Sequence, residues 1–172
     1  MNKKIILNLA MSLDGYIARL DHRVDYLDGM DPAKADAFHA FLKNVDTIIM
    51  GSTSYDKMMD LGGHPFPEKH TYVLTTQEYE DVDNVEFVDL EIEDMVKLAK
   101  KKTKNNIWLF GGAKVVQQFI DKGFIDEFII TIAPRVIGTG IPLFLFSDSD
   151  VELELVSSEK VGDFVTLHYR KK

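Results

Sequence analysis

No cysteine occurs anywhere in the 172 residues. Disulfides, thiolate nucleophiles and cysteine-ligated zinc are thereby excluded as sources of stability or chemistry. The histidines His22, His39, His64, His70 and His168 form no His-x-x-x-His pair or other metal-ligand spacing, so no metal site is expected. A Gly-x-Ser-x-Gly elbow and a phosphate loop ending in Lys-Ser/Thr are also missing, which leaves hydrolase and nucleoside-triphosphatase readings without support. Long apolar runs are absent too. The run from Ile5 to Met11 is broken by Asn8 and is too short for a signal-peptide core or a membrane span, and no Asn-x-Ser/Thr sequon is present. A cytoplasmic setting is the expectation. Positive charge is the minority sign: 20 basic residues against 28 acidic ones leave a net charge of -8. A field of that sign repels a phosphate backbone, so neither nucleic acid nor a membrane is expected as a partner. The one basic cluster, Lys97 with Lys100, Lys101, Lys102 and Lys104, falls at the end of a helical pattern, where cations complement the helix dipole.

What is present reads as one globular domain spanning residues 1–172, long enough to bury well over half of its unfolded surface. Ile5 to Met11 predicts a buried strand entering a tight loop at Asp14-Gly15. Pro32, following the candidate cap Asp31, opens a helical pattern carried by Ala33, Ala37, Phe38, Phe41 and Leu42. Three short apolar runs follow, each halted by small or turn-forming residues: 47–50 before Gly51, 72–74 before Thr75-Thr76, and 107–110 before Gly111-Gly112. Near-continuous runs of this kind belong to parallel strands covered on both faces. Helical patterns at 52–59, 92–101 and 113–122 alternate with them. Beyond Asp126 the pattern is strands alone, at 127–133, 152–160 and 164–169, with Gly162-Asp163 turning the last two into an antiparallel hairpin. The expected fold class is α/β, a mixed, mostly parallel sheet with an antiparallel carboxyl-terminal hairpin. Trp108 and the phenylalanines read as core.

Ligands in open α/β sheets bind beyond the carboxyl ends of strands, which directs attention to those halting residues. Gly111-Gly112 delivers two residues without side chains into a helix amino terminus, where free N–H groups and the positive dipole end suit a pyrophosphate; a plain tight turn fits the same dipeptide. Gly51-Ser52-Thr53-Ser54 has the same placement, with hydroxyls able to donate to phosphate or to cap the helix. Asp14 lies on the loop after the first strand and could orient a substrate or move a proton, although Asp-Gly is also a common turn signal. Gly138-Thr139-Gly140-Ile141-Pro142 is a glycine-bracketed loop that lines a pocket or merely joins two strands.

Taken together and in this order, several segments resemble one known family. They are Ser12-Leu13-Asp14-Gly15-Tyr16-Ile17-Ala18, Ile49-Met50-Gly51 with Thr53 and Tyr55, Tyr72-Val73-Leu74-Thr75, Leu109-Phe110-Gly111-Gly112-Ala113, Asp126-Glu127, and Pro134 with Gly138-Thr139-Gly140-Ile141-Pro142-Leu143-Phe144. The family is the dihydrofolate-reductase-like reductases, and within it the carboxyl-terminal domain of the bacterial bifunctional riboflavin deaminase-reductase, RibD. The resemblance implies a three-layer sandwich with NADPH lying across the strand ends. Gly111, Gly112, Ala113 and Lys114 would surround its pyrophosphate, with Gly51, Ser52, Thr53, Thr75 and Thr76 toward its phosphates and adenosine. Asp14 would face the substrate as the catalytic candidate, together with Gly138 and Gly140. It also implies a homodimer and hydride transfer to a small heterocycle, as in reduction of a ribosylamino-pyrimidine phosphate (5-amino-6-(5-phosphoribosylamino)uracil) in riboflavin biosynthesis. With no cysteine, these residues are not expected to hold the zinc motif of the deaminase half of the bifunctional enzymes. Where the family often carries arginine after the first glycine and a basic residue beyond the next strand, this sequence has Ser52 and Thr76-Gln77, which leaves NADH open as the cofactor, with Lys57 or Lys69 as compensating cations. Two alternatives stand beside this reading: a dihydrofolate reductase, whose acid on the first helix would be Asp36, and a non-catalytic nucleotide-binding homodimeric module.

Overall fold

A computed structural model describes residues 3–30 and 32–172; the candidate cap Asp31 lies outside them. The chain begins with β1 (Ile5–Ser12) and the short β2 (Tyr16–Ala18), then a 3-10 turn (Asp25–Leu27) and α1 (Pro32–Lys43). The middle alternates β3 (Val45–Gly51), α2 (Ser52–Asp60), β4 (His70–Leu74), β5 (Val85–Val88), α3 (Ile92–Lys102), β6 (Asn106–Gly111) and α4 (Ala113–Asp121). Strands finish the chain: β7 (Glu127–Ala133), β8 (Ile141–Pro142), β9 (Leu153–Val161) and β10 (Phe164–Lys171). Eight of them form one sheet in the order β5-β4-β3-β6-β1-β7-β10-β9, while β2 and β8 pair separately. From β5 to β7 every pairing is parallel; β10 runs antiparallel between β7 and β9. Among the described residues no helix is long and apolar enough to cross a membrane.

Period-two alternation along the strands sorts the side chains into two cores. On one face Ile5, Leu7, Ile49, Ile107 and Leu109 meet Met95, Val96 and Ala99 of α3 and Val116 and Phe119 of α4, all within one buried cluster. On the other face Ile48, Met50, Val73 and Trp108 meet Tyr55 and Met58 of α2, with Phe38 and Phe41 of α1 packed against them. The layers are therefore helix, sheet, helix. The lysine cluster is a solvated helix end: Lys100, Lys101 and Lys102 occupy the last turn of α3, and Lys102 Nζ donates to Glu86 at 3.0 Å.

Strand β5, together with β2 and β8, was not foreseen. Val85-Glu86-Phe87-Val88 follows an acidic stretch and is only four residues long, and its partner β4 supplies what its own pattern does not. Phe144 and Phe146 are exposed, against the expectation that the phenylalanines form the core.

Candidate functional site

Two adjacent parallel strands, β3 and β6, both end on glycine and run straight into helices. Met50 is paired with Gly111, so the two strand-to-helix junctions lie side by side. Neither helix has a side-chain cap, because its N-cap residue is Gly51 in α2 and Gly112 in α4. The first N–H groups of a helix have no intrahelical partner, so two sets of free donors and two positive dipole ends converge here. Space is tight at both junctions. A Cβ on Gly51 would lie 2.9 Å from Val115 Cγ2, and one on Gly112 would lie 3.1 Å from Ser54 Oγ. Gly111 has a φ of +123°, a backbone conformation that favours glycine, and the Gly111–Gly112 peptide is cis.

Gly51, Ser52, Thr53, Gly112, Ala113 and Lys114 all line one cleft of about 1520 Å³. That exceeds the usual 300–1,000 Å³ of a small-ligand pocket and leaves room for two molecules together. Thr75 and Thr76, at the end of β4, line the same cleft. On its other side the wall is aromatic: Phe38, Phe41 and Phe110 surround Trp108, whose ring centroid lies 5.5, 5.5 and 5.0 Å from theirs. Trp108 Nε1 donates to the Asn8 carbonyl at 2.9 Å, so the indole is both packed and tethered. Beyond β1 the floor becomes polar, with Thr131, Thr166 and His168. Thr131 Oγ1 is 3.0 Å from Thr166 Oγ1, and His168 Nε2 is 3.0 Å from Glu127 Oε2. Tyr26 closes this end with its hydroxyl 2.9 Å from the carbonyl oxygens of both Ala10 and Ile17, and burial pushes its pKa up to about 12. It stays a neutral phenol at any physiological pH.

The loop residues Asp14, Gly138 and Gly140 are absent from the residues lining the cleft. Asp14 instead ties two loops together. It accepts from Ser12 Oγ at 2.6 Å and from the amides of Gly138 at 2.8 Å and Ile137 at 3.2 Å. The Ser12 hydroxyl first, then those two amides, hold its carboxyl below the usual carboxylate range. Gly138 has a φ of +78°, and a Cβ on Gly140 would sit 2.3 Å from the Ala18 carbonyl, so the second loop lies flat against β2. Since the pKa of Asp14 is depressed on folding, its contribution to holding the loops is full above the unfolded value and is lost as pH falls through the folded one. The amide signals of Ile137 and Gly138 should therefore titrate with a midpoint below 3.8, and Asp14→Ala should abolish that titration. Unchanged amide signals across that range in the unsubstituted protein would refute the tie.

Of the cations considered as compensating, Lys69 is buried, and its Nζ donates to the carbonyls of Leu42 at 2.7 Å and Val45 at 2.8 Å. It is a structural clasp that cannot reach a ligand. Lys57 lines the cleft with its Nζ 3.4 Å from Asp60. Asp36 is exposed and does not line the cleft, although its neighbours Ala37 and Phe38 do. Sequence reasoning missed Asp89 and Leu90, which line the cleft beyond β5, and also His22, His168 and the threonine floor. For Asp89 the sequence held no comparable signal, because Val85 to Val88 carries a glutamate and becomes a strand only through its pairing with β4.

A sequence profile of the RibD C-terminal domain matches residues 64–167. The uncharacterized protein YwjB of Bacillus subtilis (strain 168) is 36% identical over 172 residues, covering 98% of each chain. The dihydrofolate reductase HdrB of Haloferax volcanii is 28% identical over 108 residues, 59% of this chain and 56% of that one. Among solved structures, a putative riboflavin biosynthesis protein from Shewanella sp. PV-4 superposes with a TM-score of 0.87 at 28% identity, covering 98% of this chain and 99% of the other. The dihydrofolate reductase of Enterococcus faecalis superposes with a TM-score of 0.72 at 19% identity over 98% and 96%, which establishes the dihydrofolate-reductase-like fold.

Proposed function

Because the chain belongs to the RibD C-terminal domain family, we propose that it is a nicotinamide-dependent reductase that passes a hydride to a small heterocyclic substrate. The observation that carries this reading is the pair of glycine-started helix amino termini on adjacent parallel strands, opening into one cleft with an aromatic hollow beside it. Free N–H groups of α2 and α4 with the hydroxyls of Ser52 and Thr53 and the ammonium of Lys114 fit a pyrophosphate. The reduced nicotinamide supplies the hydride when bound. The protein's part is to hold two reactants against each other and exclude water, and the wall of Phe38, Phe41, Trp108 and Phe110 suits both tasks. Thr131, Thr166 and His168 offer polar contacts for the substrate ring. Asp14, Gly138 and Gly140 act from behind, fixing the loops that frame that end. Within this proposal the protein works as a cytoplasmic homodimer, which sedimentation velocity tests.

The activity test offers a ribosylamino-pyrimidine phosphate, the substrate class of the riboflavin reductases, and follows loss of the reduced nicotinamide. Cofactor oxidation is expected with this substrate or with a related N-glycosyl heterocycle. Failure of every nicotinamide nucleotide to bind would sink the proposal. The likeness to HdrB favours dihydrofolate as a second substrate reading, but Asp36, the acid that it needs, stands outside the cleft. Dihydrofolate turnover that disappears in Asp36→Asn would establish it. A non-catalytic module would bind the reduced nucleotide and leave it unoxidised whatever acceptor is offered.

A further inference from the structure

If the cleft holds a nicotinamide nucleotide, the strand order assigns a place to each half of it, and the inference drawn from that placement rests on the reductase reading. The pyrophosphate belongs over the ends of β3 and β6. The aromatic hollow is built on β6, where Trp108 is tethered to Asn8 of β1, and the polar floor of Thr131, Thr166 and His168 lies beyond β1, so the nicotinamide meets its substrate on that side. Only β4 and β5 remain on the other side, so the adenosine lies over their ends. There the cleft is lined by Thr75, Thr76, Val88, Asp89 and Leu90. Leu74 pairs with Val88, and the Thr75 N–H donates to the Val88 carbonyl at 2.9 Å, so Asp89 stands directly beside the two threonines. Leu90, 38% exposed, gives the adenine an apolar surface.

The one charged side chain lining the cleft at this end, among the described residues, is a carboxylate, Asp89. Asp89 is exposed and has neither a hydrogen bond nor an ion pair among the described residues. Neither lysine lining the cleft is paired with Asp89: Lys114 stands on the first turn of α4 beside the pyrophosphate position, and Lys57, on α2, has its Nζ 3.4 Å from Asp60. Glu93 and Asp94, on the first turn of α3 just after Leu90, are paired with Lys122 at 2.6 Å and Lys97 at 2.8 Å and do not line the cleft. A ribose 2′-hydroxyl placed here can donate to a carboxylate. A 2′-phosphate would bring about two negative charges up against the Asp89 carboxylate.

We propose that Asp89 is the specificity-determining residue of this cleft, accepting a hydrogen bond from the adenosine 2′-hydroxyl and so selecting NADH over NADPH. Trp108 offers a direct readout, because it is the chain's single tryptophan and lines the cleft. NADH and NADPH are titrated into the full chain while Trp108 fluorescence is followed, and the titration is repeated with ADP-ribose and its 2′-phosphate to isolate the adenosine half. NADH is expected to bind at least about tenfold more tightly than NADPH, with the same order for the two fragments. Asp89→Asn should narrow the ratio, and Asp89→Lys should invert it. Both substitutions fall on an exposed residue, and circular dichroism verifies the fold. Equal or tighter binding of NADPH to the unsubstituted protein overturns the inference and leaves the reductase reading standing. An NADH preference that survives unchanged in Asp89→Asn overturns the role of Asp89. Binding of neither nucleotide overturns the inference together with the reading beneath it.

Discussion

Gly112→Asp is expected to weaken nucleotide binding about a thousandfold, measured by calorimetric titration with NADH and NADPH in parallel. Two effects act in the same direction. The new Cβ would lie 3.1 Å from Ser54 Oγ, so the two helix termini must separate or Ser54 must turn away. The new carboxylate would also stand where a pyrophosphate is held by free amides. Two unit charges about 4 Å apart interact by about 4 kcal/mol near a protein surface, and each 1.4 kcal/mol is about a factor of ten in affinity. Lys114→Glu separates charge from crowding, because Lys114 is exposed on the first turn of α4. It should weaken binding by a smaller factor without altering the fold. If both variants bind either nucleotide as well as the unsubstituted protein, the pyrophosphate does not lie at α4.

Phe119→Ala is expected to cost about 3–5 kcal/mol of stability, the range for removing a fully buried aromatic ring. Phe119 has no exposed surface and sits in the cluster that joins α4 to β1, β6 and β7. Nothing polar needs it, so the loss is transfer free energy and an unfilled cavity. For a domain of this length each kcal/mol lowers the melting temperature by roughly 2–4 °C, which gives a fall of about 10 °C in a thermal scan. The same substitution loosens the helix whose first turn builds the cleft, so nucleotide affinity should fall as well. A loss below about 1 kcal/mol would mean that α4 is not seated as described.

Most of the elements were legible because their signals are local. Val45–Gly51, His70–Leu74 and Asn106–Gly111 are apolar runs of strand length with a small or turn-forming residue at or just beyond the end, and α1 begins at Pro32 as its sequence indicates. The glycine junctions could be read for the same reason: a residue without a Cβ at a strand end is visible in sequence, and its consequence for the backbone is general. Strand β5 could not be read in this way. Four residues with a glutamate among them become a strand only when β4 offers hydrogen bonds, and without β5 there was no reason to examine Asp89. The loop around Asp14 was legible as a loop, but its partner amides at Ile137 and Gly138 lie more than 120 residues away.

The sequence by itself determined the α/β class, the order of the helices and of the strands other than β2, β5 and β8, the antiparallel carboxyl-terminal hairpin and the two junctions at Gly51 and Gly111-Gly112. Each follows from side-chain periodicity or from the conformational needs of single residues, which act over a few positions. Tertiary structure alone decided that Gly51 and Gly112 each lie close against a side chain of the opposite helix, that Lys69 is buried against the Leu42 and Val45 carbonyls, that Asp14 ties loops, and that a carboxylate stands where adenosine would lie. Those facts depend on which strands become neighbours. That choice is made by burial summed over the whole sheet, and no short stretch of sequence contains it.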